Sequence, residues 1–223
     1  MAAFYARSVP LLVLLLFMIQ HFNLTAQEVS KKQTLDDRIR VFLENNQNEW
    51  HDMNIPKRDG ELLYDLIVEN NYTSALEIGT STGHSGIWIA WALSKTGGRL
   101  ITIEIDEERH KQAVANFKKA GVSEYIDARL ADAHKLVKEL PGPFDFVFSD
   151  ADKNWYKQYF IDIAPKMKVG GCFTAHNVSL RRGWRMRGIQ EFVDYIQSLP
   201  NFDTTIENER SSGISISYKK EED

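Results

Sequence analysis

Three short stretches of this chain carry side chains able to handle a proton, a cation or a charged ligand. The first closes an apolar run, Phe144–Ser149, with Asp150-Ala151-Asp152-Lys153. Carboxylates at the C-terminal end of a parallel strand face the crevice where such sheets place ligands, although an aspartate there also suits a helix cap. An ordinary lysine, with a pKa of about 10.4, is protonated at neutral pH, and a nearby cation with partial burial brings it toward the range of a working base. The second stretch, Thr174-Ala175-His176-Asn177-Val178, offers an imidazole and an amide after the next apolar run. The third, Glu77-Ile78-Gly79-Thr80-Ser81-Thr82-Gly83-His84-Ser85, follows a β-type run and opens a helical one.

In that third stretch Gly79 permits a tight turn with close backbone approach to a ligand, and Gly83 lets the helix start against the strand. The next β-type run ends in Glu104, where doubly wound folds place an acidic residue that binds ribose hydroxyls. A dinucleotide turn reads G-x-G-x-x-G, whereas this one reads G-x-x-x-G with Ser81 at its centre. Glu77, just before the first glycine, would repel a pyrophosphate and attract a ligand bearing an ammonium and a sulfonium. The charge logic therefore favours S-adenosylmethionine over NAD.

The elements that must position these residues alternate in type. Strand candidates are Ser74–Ile78, Arg99–Glu104, Tyr125–Leu130, Phe144–Ser149 and Gly171–Ala175, and helix candidates between them are Gly83–Leu93, Glu107–Ala120, Ala133–Glu139 and Trp155–Ile163. This β-α alternation predicts an α/β fold, a doubly wound and mostly parallel sheet with helices on both faces. A helix over Ile189–Ser198 and two successive strands, Phe202–Glu207 and Gly213–Tyr218, predict an antiparallel β-hairpin added at the sheet edge. Two amphipathic segments, Leu35–Asn48 and Asp59–Glu69, precede the first strand.

Leu76-Glu77-Ile78-Gly79-Thr80-Ser81-Thr82-Gly83-His84-Ser85 resembles the first motif of the class I methyltransferases, and in particular of the small catechol and caffeoyl-CoA O-methyltransferase-like family with its Rossmann-like sheet. The resemblance extends to Met53-Asn54-Ile55 upstream, and downstream to ITIEID, Ala131-Asp132-Ala133, SDADK and HNV, covering about residues 35 to 220. It implies that Met53, Asn54, Ile55, Glu77, Gly79, Ser81, Gly83 and Ser85 lie at or beside the methionine end of S-adenosylmethionine. Glu104 would bind its ribose, Asp132 would sit near the adenine, and Asp150 would border the same site. Ser85 as a packing residue and Asp132 as a helix N-cap are the plainer alternatives. The resemblance also makes Lys153 the general base that deprotonates an acceptor hydroxyl, and Asp150 a divalent-metal ligand.

The family pattern at the second stretch is Asp-Asn, and this chain has His176 before Asn177. A metal set of Asp150, His176 and Asn177 is one negative charge short for tight magnesium binding, and its imidazole shifts preference toward a transition metal. Three readings stay open: an altered metal site, a metal-independent enzyme in which His176 takes or shares the acceptor proton, and a non-catalytic histidine. His84, His110 and His134 read as helix-surface or packing residues. The reaction expected is methyl transfer from S-adenosylmethionine to a hydroxyl of a small aromatic acceptor. Methylation of an amine or a protein side chain, and donor binding without catalysis, are the alternatives.

Arg181, Arg182, Arg185 and Arg187 surround Trp184 where the family carries its acceptor-side loop. They suit an anionic acceptor, contact with a membrane surface, or a solvated basic loop. Trp50 is a second candidate wall of the acceptor pocket.

Residues 1–26 have the layout of a signal peptide, with Arg7, an apolar run Val9–Ile19 and Ala26 as the last residue removed. That run is shorter than the roughly 20 apolar residues that span a bilayer. Cleavage would leave one domain over 27–223 and a periplasmic or secreted protein; without it, the protein would be membrane-anchored or cytoplasmic. The whole chain of 223 residues is 43% hydrophobic, enough for one core. Its net charge of −4 gives no basic field for nucleic acid, and its single cysteine, Cys172, excludes an internal disulfide or a cysteine-ligated cluster. A homodimer is what the resemblance implies, and no residue pattern adds to it.

Overall fold

The computed structural model describes residues 33–48, 50, 53–178, 187–209, 211 and 213–221. Residues 1–26, read above as a signal peptide, and the arginine-rich stretch up to residue 186, with Trp184, lie outside the described residues. The chain divides into two compact units, Met1–Asp37 and Arg38–Asp223. In the described part of the first, the Thr34 hydroxyl accepts from the Asp37 amide at 3.1 Å as helix α1 (Leu35–Asn45) begins.

In the second unit seven strands form one sheet: β1 (Ser74–Ile78), β2 (Arg99–Glu104), β3 (Ile126–Leu130), β4 (Phe144–Ser149), β5 (Met167–His176), β6 (Phe202–Glu207) and β7 (Ile214–Lys219). The order is β3-β2-β1-β4-β5-β7-β6, with β1 to β5 parallel and β7 antiparallel to both its neighbours. This is the α/β architecture expected from the alternation. The largest difference in bounds from the sequence reading is at β5. β5 starts at Met167, because a register shift between Phe144 and Phe146 carries the pairing past Gly170 and Gly171. The inner strand of the terminal pair is β7, which pairs with β5 from Cys172↔Tyr218 to His176↔Ile214, leaving β6 at the edge.

Six further helices complete the unit: α2 (Lys57–Glu69), α3 (His84–Thr96), α4 (Glu107–Ala120), α5 (Ala133–Glu139), α6 (Tyr156–Ile163) and α7 (Arg187–Gln197). Helices α5, α6 and α7 pack with Leu76, Ile78, Val147 and Phe173 in one core layer, while α2 packs on α3 and α3 on α4. Side chains alternate across a strand, so Ala75 and Glu77 face away from the α5–α7 layer. Every residue of β4 is buried, as a strand covered on both faces requires.

The buried Asp145 ties the start of β4 to that of β1. Its carboxylate accepts from the Ser74 amide at 2.7 Å, the Thr73 amide at 3.0 Å and Lys168 Nζ at 3.0 Å. Asp145→Ala removes the charged acceptor of two part-buried backbone amides and of Lys168, and is expected to cost about 2 kcal/mol, read as a lower urea midpoint.

Candidate functional site

β1 and β4 are adjacent in space but lead to opposite halves of the sheet, so the chain leaves their C-terminal ends in opposite directions and a crevice opens there. A cavity of about 320 Å³ occupies it, lined by Met53, Gly79, Ser81, Glu104, Asp132, His134, Asp150 and Asp152 among others. Residues far apart in sequence meet because the strand ends meet: the Asp150 amide donates to the Ile78 carbonyl at 2.9 Å, and the Gly79 amide to the Ile103 carbonyl at 3.0 Å.

Gly79 has φ +100°, and a Cβ there would come within 2.8 Å of the Asp150 carbonyl oxygen. The turn then passes Ser81, whose φ is also positive, and starts α3 after Gly83. Glu104 is fixed beneath this turn. One carboxylate oxygen accepts from the Ser81 amide at 2.7 Å, and the other from the Ile105 and Asp106 amides at 3.0 and 2.9 Å. These bonds hold the carboxylate against the cavity wall.

Glu77 lies behind the turn, fully buried and outside the cavity lining, with bonds from Ser85 and from Thr102. Burial outweighs those bonds and pushes its pKa up to about 8, and its Oε1 has no partner. Asp132 borders the cavity, and it caps α5 through the His134 amide at 3.0 Å, the plainer of the two roles read for it.

In the Met53-Asn54-Ile55 segment only Met53 lines the crevice. Arg109 lies 2.8 Å from the Met53 sulfur, Thr82 donates to the Asn54 amide oxygen at 3.1 Å, and His84 donates to the Ile55 carbonyl at 2.9 Å. His84 also accepts from Trp88 and stacks on Trp50 at 4.6 Å, and its burial brings its pKa down to about 4. It is therefore a buried strut rather than a surface residue. Trp50 lines a second cavity of about 580 Å³, with Trp88 and Trp91, that shares no lining residue with the crevice. His134 is a cavity residue that sequence reading missed; it stands 3.2 Å from Asp132 and packs on Trp155.

The proton-handling groups gather at the ends of β4 and β5. Lys153 bonds to Asp150 and donates to the Tyr156 hydroxyl at 2.6 Å. Tyr156 is fully buried, and that burial raises its pKa well above the usual phenol range. On the other side, His176 Nδ1 lies 3.0 Å from Asp150 and its Nε2 lies 2.8 Å from the fully buried Asp59 of α2. Burial works against a charged ring here, but the two carboxylates outweigh it and raise the His176 pKa to about 9. Burial likewise works to raise Asp150, yet His176 and Lys153 hold its carboxyl below the ordinary range. Asn177 is exposed with φ +60°. Among the described residues no three acidic, imidazole or thiol groups are arranged to hold a metal ion.

Asp59 and Tyr156 are the residues of this cluster absent from the sequence reading. Asp59 looked like an ordinary first-turn acid of a helix, and Tyr156 like one more core aromatic.

A family model described as O-methyltransferase matches residues 25–210. A catechol O-methyltransferase of Niastella koreensis is 36% identical over 130 residues, 56% of this chain and 58% of that protein. Caffeoyl-CoA O-methyltransferase 1 of Arabidopsis thaliana is 29% identical over 183 residues, 71% of this chain and 70% of that protein. The chain thus spans little more than half the length of the first of these relatives. The solved structure of an O-methyltransferase from Bacillus cereus in complex with SAH matches with a TM-score of 0.69 at 24% identity, over 90% of this chain and 97% of that one, a likeness of fold.

Proposed function

The chain belongs to the O-methyltransferase family, and from that premise we propose that it transfers a methyl group from S-adenosylmethionine to a hydroxyl of a small aromatic acceptor, with Lys153 as the base. The donor, when bound, supplies an electrophilic methyl on a sulfonium, open to in-line attack by an oxygen nucleophile. The residues fit such a donor. Gly79 leaves room where a side chain would meet Asp150, Glu104 is held ready for paired hydroxyls, and Asp132, Asp150 and Asp152 give the cavity a negative lining suited to a cationic ligand. Met53 borders its methionine end with Asn54 beside it, while Ile55 lines the other cavity and Glu77 and Ser85 support the turn from behind.

The observation that carries the proposal is the amine of Lys153 bonded to Asp150, which lines the cavity, and to Tyr156. In its neutral form that nitrogen accepts the hydroxyl proton as the acceptor oxygen attacks. A phenolate is a far better nucleophile than the phenol, which is where a base lowers the barrier. Lys153 and Asp150 then share the proton until product leaves. The arginines of 181–187 make an anionic aromatic acceptor the preferred class.

Full-length protein incubated with labelled donor and a panel of catechols, phenolic acids and amines should yield one methylated phenol per donor consumed. Absence of donor binding at high micromolar concentration would overturn the proposal. Glu104→Ala removes the hydroxyl acceptor and the anchor of Ser81 together. It is expected to weaken donor binding roughly 100-fold by calorimetry, the scale of about 3 kcal/mol for hydrogen bonds to a charged group.

A further inference from the structure

Building on the proposed O-methyl transfer, we propose that this enzyme works without a divalent ion: the Asp59–His176–Asp150 chain places a fixed imidazole ring, bonded through both its nitrogens, where a metal set would otherwise be completed. Asp59 is then a positioning residue, acting on the site through His176.

An imidazole ligates a metal through an unprotonated ring nitrogen. Here Nε2 faces Asp59 Oδ2 at 2.8 Å and Nδ1 faces Asp150 Oδ2 at 3.0 Å. An ionised carboxylate only accepts, so Nδ1 donates to Asp150, and with Nε2 bonded to Asp59 neither ring nitrogen is left free. The remaining oxygen of Asp150 is taken by Lys153, with the Tyr156 hydroxyl beside it. Both oxygens of the only carboxylate in the set of Asp150, His176 and Asn177 therefore already face donors. A hard divalent ion requires several oxygen ligands with net negative charge, and here it would stand against two cationic side chains. The residues do not fit a metal.

They do form an internal substitute. The ring compensates Asp150 beside Lys153, and it is anchored by Asp59 on α2, the helix that follows the Met53-Asn54-Ile55 segment. Asp59, Asp150 and His176 come from three different elements, so the ring is held from both sides and cannot turn to expose a nitrogen without losing a buried bond.

Manganese(II) titrated into full-length wild-type protein and followed by electron paramagnetic resonance tests this directly. The expected result is no depletion of the free ion signal up to high micromolar concentration, with methyl transfer unchanged by EDTA or by added magnesium. In protein labelled with ¹⁵N-histidine, both ring nitrogens of His176 should carry hydrogen, and Asp59→Asn should shift those two resonances with the far-ultraviolet circular dichroism retained. His176→Asp, which restores a carboxylate, should bind one manganese(II) per chain; should that variant not fold, the wild-type measurements decide. The inference is overturned if the wild-type chain binds one manganese(II) that His176→Ala releases, or if EDTA abolishes turnover and a divalent ion restores it. If no acceptor is methylated under any condition, the proposed function fails, while the resonance experiments still decide the metal question.

Discussion

Lys153→Met is expected to lower kcat by about 10²- to 10⁴-fold, the usual contribution of a positioned general base, while leaving donor affinity essentially unchanged. The split follows from position. Lys153 bonds to Asp150 and Tyr156 at the end of β4, whereas Glu104, the carboxylate proposed to bind the ribose, is held at the end of β2 by backbone amides. Methionine keeps the length of the side chain and removes its proton acceptor. Initial rates with a phenolic acceptor, alongside calorimetric titration of the donor, separate the two effects. Full turnover by this variant would mean that the acceptor loses its proton elsewhere or is an amine, and the assignment of Lys153 would fall.

The second large effect concerns stability. His176→Ala leaves Asp59, fully buried, without the ring that bonds it at 2.8 Å, and leaves Asp150 without its second cation. Breaking one partner from a buried ion pair costs about 3–5 kcal/mol. For a domain of this size that lowers Tm by roughly 10 °C. The same ring makes stability depend on pH, and its direction follows from the raised pKa. Below about 6.5 the ring is charged in both folded and unfolded chains, and its stabilisation is fully present. As pH rises toward 9 the unfolded chain has lost that proton while the folded one keeps it, and the gain is gone once pH passes the folded value of about 9. The total is on the order of 3 kcal/mol. Denaturation midpoints of the wild type should therefore fall between pH 6.5 and 9.5, and those of His176→Ala should lose that part of the slope. A wild-type midpoint flat across this range would show that the ring is not charged in the folded protein.

Much of the fold was legible from residue patterns. The runs Ser74–Ile78, Arg99–Glu104 and Phe144–Ser149 are strands with the bounds read from their β-type composition, and Glu107–Ala120 is a helix, capped by Asp106 and stopped by Gly121. These are local signals: periodicity, a capping side chain, a glycine free to take a positive φ. The strand read as Gly171–Ala175 starts at Met167, and only the register shift opposite Phe144 and Phe146 shows how it continues through Gly170 and Gly171. The placement of β7 inside β6 depends on pairing with β5, which no hairpin signal encodes.

For the site, amino-acid order alone was enough to name the turn from Glu77 to Ser85, the acid at Glu104, the Asp150–Lys153 tetrad and the unusual His176, because chemistry at strand ends is written in consecutive residues. The folded chain was needed to place Glu77 behind the turn rather than in the cavity, since strand alternation turns it toward α3. It was needed above all for the partner of His176. Asp59 lies 117 residues away and looks, in its own helix, like any first-turn carboxylate. A bond between α2 and the end of β5 is a property of packing, and packing brings together residues that share no sequence neighbourhood. Whether a histidine binds a metal, moves a proton or stands as a fixed charge depends on what faces each of its two nitrogens, and that is set by such contacts.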